Sequence, residues 1–424
     1  MNTETSFIEY PELLEHLEDS SNNHLLLGNG FNNSLDISTE YESIFSRMLK
    51  EESAYEKIKN EIKKESIKYN IEKLINKLGE CFELQSGDID GFLDVYVERK
   101  IRLDFMKATS GIVREKVKGI YKNKNRGIYR LFKNFNNYFT LNYDTFLYLL
   151  LMSFKKTDDD QDTMTPSKAP SSQRKNLNRI QGNIYDEIHR MREDGKLEIT
   201  FGSKNQAKIE LKKATKGHFQ ANVEQYNKRK GMGWRTEDIK RACDEIWENE
   251  INNLKLDNVN DGFQENLFEK DNTSQNIFFL HGSFHIYEDG DLIRKITQKQ
   301  NQALYQRLVR IIQEEEEKIV CVLSGTSENK VKQINRNQYL KRCFRELSKL
   351  SGNVVILGSS LSDNDAHIFQ AINQPSVEKI YISSSDEDIQ GHLKQSNKFF
   401  SKKEIVWFNY RSISYDVNNR EESE

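Results

Sequence analysis

Residues 138–152, YFTLNYDTFLYLLLM, combine an apolar run, a polar junction and a second apolar run. The first run contains aromatic and β-branched residues, which is typical of a strand, and the second is typical of a helix. Asn142 and Asp144 therefore lie where a buried strand ends. Either they cap the helix, which alone would explain Asp144, or they face a ligand at the carboxyl end of the strand. Asn142 precedes the expected cap position, so capping explains it less well.

The same arrangement recurs along the chain. Short apolar runs that end in glycine, serine or asparagine precede helical patterns, which is typical of a parallel sheet with crossover helices. We predict strands at 24–30, 138–144, 276–282, 318–325, 353–360, 379–385 and 404–410. We predict helices at 144–154, 298–317, 329–350, 363–373 and 386–397. The predicted fold is α/β, a Rossmann-like parallel sheet with helices on both faces.

Two insertions interrupt this alternation. Residues 41–135 have the pattern of charged amphipathic helices without proline, which predicts a helical subdomain. Residues 155–275 begin with a stretch rich in Ser, Asp, Lys and Pro, which predicts a mobile loop, followed by a mixed segment with a hairpin at 197–219 and a helix at 235–254. The predicted core comprises 1–40, 136–154 and 276–424.

Composition excludes some classes of protein and leaves others open. The formal net charge of -3 over 424 residues gives no global electrostatic case for nucleic acid. Basic clusters at 211–218 and 226–235 leave nucleic acid or an acidic partner open, and a solvated excursion is the alternative we favour. Without an apolar stretch of about 20 residues or a signal-peptide pattern, we expect a cytoplasmic protein and no membrane partner. The four cysteines form no CxxC pair, so we predict no zinc site and no disulfide.

Three further strand ends carry residues suited to nucleotide chemistry. Gly28-Asn29-Gly30 would let main-chain N–H groups approach a phosphate, although a plain turn explains it about as well. His281 can exchange a proton near neutral pH, and the glycine after it implies close approach of another group, but a hydrogen-bonded structural histidine is the default. The Gly358-Ser359-Ser360 turn supplies hydroxyls, Asn364 or Asp363 could cap the next helix, and 324–330 competes for the phosphate role. Taken together, these polar ends favour a dinucleotide pocket.

In order and strand context, these motifs resemble a sirtuin-like NAD-consuming domain of the bacterial, defence-associated kind. Gly28-Asn29-Gly30 resembles the family's first glycine turn, and residues 140–144, TLNYD, resemble its Thr-Gln-Asn-x-Asp segment. His281-Gly282 resembles the catalytic His-Gly, and residues 358–361, GSSL, resemble the Gly-Thr-Ser-Leu turn. Leu141 replaces the family's glutamine, residues 32–41 lack its Pro-Asp-Phe-Arg stretch, and the four-cysteine zinc module of deacylating members is missing.

The resemblance implies a division of labour among these residues. Asn142 would bind the nicotinamide ribose or the attacking water, Asp144 would hold the carboxamide, and His281 would act as general base. NAD+ is the implied substrate, and no metal is expected. The resemblance places the glycines and serines around the pyrophosphate and Ser383 near the adenosine ribose. The full set of implied cofactor-binding residues is Gly28, Asn29, Gly30, Phe31, Asn32, Tyr143, Gly358, Ser359, Ser360, Asn364 and Ser383.

The activity that this resemblance implies is NAD+ glycohydrolysis to ADP-ribose and nicotinamide, as a gated effector of anti-phage defence by NAD depletion. A sensor that binds NAD or ADP-ribose without cleavage, and a zinc-free deacylase, are the alternatives. Because constant NAD+ loss would kill the cell, we expect gating by homo-oligomerisation or by a partner at 41–135. Some relatives act with a DNA-translocating ATPase, which the resemblance extends to this chain as a candidate partner.

Overall fold

The computed structural model contains a mixed α/β protein with two sheets. The residues it describes are 7–37, 39–51, 60, 63–64, 73–74, 88–122, 126–155, 220–221, 223–225, 227–228, 231–246, 256, 258–297, 307–308, 310–311, 318–323, 326–413 and 415. The chain divides into two compact units, one formed by Met1–Lys155 with Leu256–Glu424 and the other by Lys156–Lys255.

The described residues form helices and strands with the following bounds. The helices are α1 Tyr10–Glu18, α2 Asn29–Asn33, α3 Tyr41–Glu51, α4 Asp88–Lys122, α5 Arg126–Phe132, α6 Phe146–Phe154, α7 Thr236–Ile246, α8 Ser327–Arg336, α9 Gln338–Leu347, α10 Ala366–Ile372 and α11 Ile389–Phe400. The strands are β1 Asn23–Leu27, β2 Asn137–Thr140, β3 Phe263–Gln264, β4 Leu267–Phe268, β5 Ile277–Phe279, β6 Gly282–Asp289, β7 Leu292–Lys295, β8 Ile319–Cys321, β9 Gly352–Leu357, β10 Val377–Ser384 and β11 Glu404–Asn409. Asp363–Asp365 and Tyr410–Ser412 form short 3-10 helices.

The larger unit contains a six-stranded sheet flanked by helices, in which every neighbouring pair is parallel. Its strand order is β11-β10-β9-β1-β2-β5, which is 6-5-4-1-2-3 when the six strands are numbered along the chain. This is the order of doubly wound dinucleotide-binding sheets, and it reverses direction between β1 and β9. The predicted α/β class with a parallel sheet is therefore confirmed.

Apolar burial explains why the central strands form. All five residues of β1 and all six of β9 are buried, as expected for strands covered on both faces. Phe139 of β2 stacks on Phe278 of β5 with ring centroids 4.8 Å apart, which fixes the neighbouring pair in register. The α6 side chains Phe146, Leu147, Leu150 and Leu151 are buried, so the second half of the opening stretch is a core helix.

A second sheet in the larger unit has the order β3-β4-β7-β6-β8, and its pairs are antiparallel. Residues 318–325 were predicted as another parallel strand, and that prediction is wrong. β8 pairs with β6 instead, because the chain turns back at Gly282 and extends the hairpin that β6 makes with β7. The hairpin of β6 and β7 turns at Gly290, which has φ 61°.

Several predicted elements are shorter or interrupted. The helix predicted over 329–350 is two helices, because Asn337 leaves helical geometry at φ -105° and ψ 130° and caps α9. Within the predicted insertion 41–135, the described residues are helical in α3, α4 and α5 and belong to the larger unit. Residues 258–275, predicted as part of the second insertion, also belong to the larger unit. The predicted hairpin at 197–219 and most of the helix at 298–317 lie outside the described residues.

Candidate functional site

A cavity of about 750 Å³ opens where the parallel strands end. Its lining includes the residues that directly follow β1, β2 and β9, together with His281, which follows β5 by two positions. The reversal between β1 and β9 lies at its centre, where doubly wound sheets bind ligands. Twelve predicted site residues line it: Gly28, Asn29, Gly30, Asn142, Tyr143, Asp144, His281, Gly358, Ser359, Ser360, Asn364 and Ser383.

Two predicted binding residues do not line the cavity. Phe31 is fully buried and packs against Phe132 and Phe146, with ring centroids 5.8 and 6.0 Å apart, so it belongs to the core. Asn32 is also buried, and it contacts the cavity residues from behind. The sequence predicted both as ligand contacts because they follow the glycine turn, but α2 turns their side chains inward.

Asn142, Asn32 and Asp144 form a chain of hydrogen bonds beneath the cavity. Asn142 Nδ2 donates to Asn32 Oδ1 at 3.2 Å and to the Gly28 carbonyl at 3.3 Å. Asn32 Nδ2 in turn donates to Asp144 Oδ2 at 2.8 Å. Both side-chain bonds of Asn142 use Nδ2, and Oδ1 accepts none from the described residues. The network therefore orients the amide with its oxygen available to a hydroxyl or a water.

Asp144 has a structural task at this junction. Its Oδ1 accepts from the Phe146 N–H at 2.7 Å, at the start of α6, while Oδ2 holds Asn32. The carboxyl group is buried, and burial raises its pKa from 3.8 to about 6, against the lowering effect of the bonds from Phe146 and Asn32. Asp144 thus lies one position before the N-cap residue Thr145, where it stabilises the start of α6 and holds Asn32.

The glycine turns are explained mainly by their contact with each other. A Cβ on Gly28 would lie 2.4 Å from the Gly358 carbonyl oxygen, and one on Gly30 would lie 2.8 Å from Gly358 Cα. The N–H groups of Gly28 and Gly30 donate to the carbonyls of Leu357 and Gly358 at 2.9 and 2.8 Å. Among these three glycines, Gly358 alone has positive φ (73°). Main-chain packing of two strand ends therefore requires these glycines, and two of the amides expected to bind phosphate are already hydrogen-bonded.

Two serine hydroxyls at the cavity are likewise already hydrogen-bonded to the main chain. Ser383 Oγ accepts from the Gly358 N–H at 2.9 Å, so β10 supports the turn that follows β9. Ser359 Oγ accepts from the Leu361 N–H at 3.3 Å. Ser360 is exposed at the cavity, and its hydroxyl is the better placed of this turn for a phosphate oxygen.

His281 lies at the end of the cavity next to Asn142. The two residues follow neighbouring strands, since β2 pairs with β5 and the Leu280 N–H donates to the Thr140 carbonyl at 3.1 Å. The imidazole is 1% exposed and also hydrogen-bonds the main chain of Leu141. Burial, and then the charge of Lys330, hold its pKa well below 6.5. The ring is therefore neutral at physiological pH.

The glycine after His281 has a structural cause. Gly282 has φ 77°, and a Cβ there would collide with the carbonyl of Val320. The group that approaches this backbone is the β8 strand of the second sheet, not a ligand. The predicted close approach at Gly282 is therefore confirmed, with main chain as the approaching group, and His281 itself lines the cavity.

Four polar residues around His281 were not among the predicted site residues. His367 Nε2 lies 3.3 Å from His281 Nε2, and His367 Nδ1 lies 3.0 Å from Ser327 Oγ. Asp365 Oδ1 lies 3.6 Å from His281 Nε2 and accepts from the buried Lys330 Nζ at 3.0 Å. The sequence did single out 324–330 as a polar turn, but nothing in it showed that α8 and α10 pack this turn against the histidine.

The helical segment after the first turn closes another side of the cavity. Tyr41 and Ile44 of α3 line it, as do Phe105 and Thr109 of α4. The side chains of Ile44 and Phe105 are almost fully buried. Residues of the predicted insertion 41–135 thus contact the same space as the strand ends.

Comparison with known proteins bears on the second half of this site. Residues 234–415 match a family model described as a domain of unknown function (DUF4917). This match covers less than half of the chain and includes His281, Lys330 and His367, but it begins after Gly28 and Asn142. No curated protein matches the chain.

Two kinds of feature are absent from the described residues. Within those residues, no cluster of three or more His, Cys, Asp and Glu side chains is arranged to hold a metal ion. No helix in the described segments combines the length and the apolar character needed to cross a bilayer.

Proposed function

We propose that the protein is an NAD+ glycohydrolase, which converts NAD+ and water to ADP-ribose and nicotinamide. The observation that supports this best is that Asn142 and His281, separated by 139 positions in the sequence, follow adjacent strands and line one cavity. That cavity lies at the reversal of a 6-5-4-1-2-3 sheet, and its volume of about 750 Å³ is in the range of ligand pockets.

The chemistry requires a positioned water and a base. Cleavage of the glycosidic bond develops positive charge on the ribose carbon and releases neutral nicotinamide, while water attacks that carbon and loses a proton. Asn142 Oδ1 would accept a hydrogen bond from the water or from a ribose hydroxyl. His281, neutral because of burial, would take the proton, a role typically worth about 10² to 10⁴-fold in rate.

Fewer residues are assigned to the rest of the dinucleotide than the sequence suggested. Because the Gly28 and Gly30 amides bond to the main chain, the pyrophosphate contact is assigned first to the Ser360 hydroxyl. The Asn29 side chain is already engaged, since its Nδ2 donates to the Thr39 carbonyl and its Oδ1 accepts from the Thr39 hydroxyl. Asp144 is assigned to holding Asn32, and hence Asn142, rather than the carboxamide. Ser383 stays the candidate for the adenosine ribose, since it lines the cavity on the β10 side.

We extend the proposal to the setting of the reaction. The enzyme would act in the cytoplasm as an anti-phage effector, gated by homo-oligomerisation or by a partner such as a DNA-translocating ATPase. The contact of α3 and α4 with the cavity supports a route by which binding at the helical segment changes the site.

Nicotinamide release by the purified full chain tests the activity. We expect Asn142→Ala and His281→Ala to lower the rate by about 10²-fold or more. Asn137→Ala and His24→Ala are matched controls, because these two residues contact each other at the amino end of the same sheet, with Asn137 Nδ2 3.0 Å from His24 Nδ1. Full turnover by both site variants would refute the assignment.

One observation favours a second candidate, a protein that binds NAD+ without cleaving it. His281 Nε2 contacts His367, and the imidazole is 1% exposed, so in this conformation the base has little access to a substrate. Saturable NAD+ binding by the wild type, without nicotinamide release under any oligomeric state or added partner, would establish this alternative.

A further inference from the structure

His281, His367 and Ser327 form a row of polar contacts beside the cavity. His281 Nε2 lies 3.3 Å from His367 Nε2, and His367 Nδ1 lies 3.0 Å from Ser327 Oγ. The same Ser327 Oγ accepts from the main-chain N–H of His367 at 3.0 Å. His281 and His367 are 1% and 5% exposed, so bulk water does not determine where their protons lie.

The hydrogen bonds of this row are mutually consistent in one arrangement of protons. Ser327 Oγ accepts from the His367 N–H and still carries one proton, which it donates to His367 Nδ1, 3.0 Å away, when that nitrogen is unprotonated. His367 then carries its proton on Nε2 and donates it to His281 Nε2. The proton of His281 is on its other nitrogen, consistent with its hydrogen bond to the main chain of Leu141. In this arrangement the lone pair of His281 lies on Nε2.

Burial, reinforced by the charge of Lys330, keeps both rings neutral. Burial and the charge of Lys330 lower the pKa of His281, and burial followed by the effect of His281 lowers the pKa of His367 to about 3. Asp365 Oδ1 accepts from Lys330 Nζ at 3.0 Å and lies 3.6 Å from His281 Nε2. A proton gained by His281 would therefore appear next to a carboxylate.

We propose that His367, held by Ser327, is a positioning residue that fixes His281 in the tautomer whose Nε2 accepts a proton. The effect on catalysis rests on the proposed function, whereas the tautomer of His281 does not depend on it. The Nε2–Nε2 contact of 3.3 Å is longer than a typical hydrogen bond. A hydroxyl of the substrate or the attacking water can therefore replace His367 as the donor.

The step balances without a further reactant. Water loses its proton to His281 Nε2 as its oxygen bonds to the ribose carbon, and the electrons of the broken glycosidic bond leave with nicotinamide. The resulting imidazolium lies beside Asp365 and then returns the proton to solvent. His367 gains and loses nothing, so its contribution is to select the starting tautomer.

Nitrogen NMR of histidine-labelled, ligand-free protein tests the tautomer directly. We expect His281, assigned by loss of its signals in His281→Gln, to show an unprotonated Nε2 in the wild type. A second tautomer of His281 should appear in His367→Phe and in Ser327→Ala. The phenyl ring of the first variant suits the neighbouring Phe344, and the second variant keeps both histidines. The control is His24→Phe, which removes a buried histidine that bonds to Ser351 and Asn137 at the far end of the sheet.

Kinetics on the same variants test the consequence. We expect kcat for nicotinamide release to fall about 10-fold or more in His367→Phe with KM unchanged within about 2-fold, and His367→Gln, which keeps a donor, to recover part of the rate. A protonated Nε2 on wild-type His281, or one unchanged tautomer in both His367→Phe and Ser327→Ala, would overturn the inference. The expected tautomers in a chain that releases no nicotinamide would refute the proposed function and leave the positioning intact.

Discussion

Replacing Asp144 by asparagine should stabilise the protein at alkaline pH while impairing the site. The carboxyl group is buried, and its pKa rises from 3.8 to about 6 on folding. The folded state therefore holds a proton that the unfolded state loses between these two values. As pH rises between these two pKa values, the free energy of unfolding of the wild type falls by about 3 kcal/mol, because each unit of pKa difference is worth about 1.4 kcal/mol.

The amide side chain of Asp144→Asn cannot ionise, so the variant does not suffer this loss. The substitution does place an N–H group opposite the Asn32 amide that now donates to Asp144 Oδ2, which costs about 1 to 1.5 kcal/mol. The variant should thus be more stable than the wild type by about 1 to 2 kcal/mol at pH 8, and less stable near pH 4.

Urea denaturation of both proteins across this pH range measures the difference. The free energy of unfolding of the variant, relative to the wild type, should rise by about 2 kcal/mol between about pH 4.5 and pH 7.5. Nicotinamide release should fall, because Asn32 no longer orients Asn142. A difference in stability that does not depend on pH would refute the reasoning on Asp144.

Two more predictions concern charge and backbone. Lys330→Met removes a cation near His281 and frees Asp365 to pair with it, which raises the pKa of His281. Since the proposed base works only when neutral, the acid limb of the pH–rate profile should move to higher pH, whereas Lys330→Arg should leave it in place. An unmoved limb in the Met variant would contradict this. Gly358→Ala should cost about 3 kcal/mol or more in urea denaturation, because its Cβ would collide with the main chain of the neighbouring turn at φ 73°. Gly290→Ala, at φ 61° in open space, should cost about 1 kcal/mol, and equal costs would refute the packing argument.

The parallel sheet could be predicted because its strands have a local pattern. β1, β2, β9 and β10 are short apolar runs that end in small or polar residues, and burial on both faces makes such runs continuous. Residues 318–325 have the same pattern, but β8 belongs to the antiparallel sheet. Partner choice depends on the turn at Gly282, where positive φ redirects the chain, and a local pattern does not contain that information.

The site was partly predictable for the same reason. Carboxyl ends of parallel strands meet at one edge, so Asn142, His281 and Ser359 could be expected to share a cavity. The environment of His281 could not be expected, since His367 and Lys330 reach it from two helices whose packing depends on tertiary contacts. The sequence indicated that the glycines matter, but it did not show which contact requires them. Gly28 and Gly358 are required by each other, which only the packed main chains reveal.

A crystal structure of the Asn142→Ala variant with NAD+ tests the central claim most directly, because this variant should bind the dinucleotide without cleaving it. The account predicts the nicotinamide ribose between position 142 and His281, with the pyrophosphate beside Ser360. A dinucleotide bound elsewhere on the molecule, or an empty cavity at saturating NAD+, would contradict it.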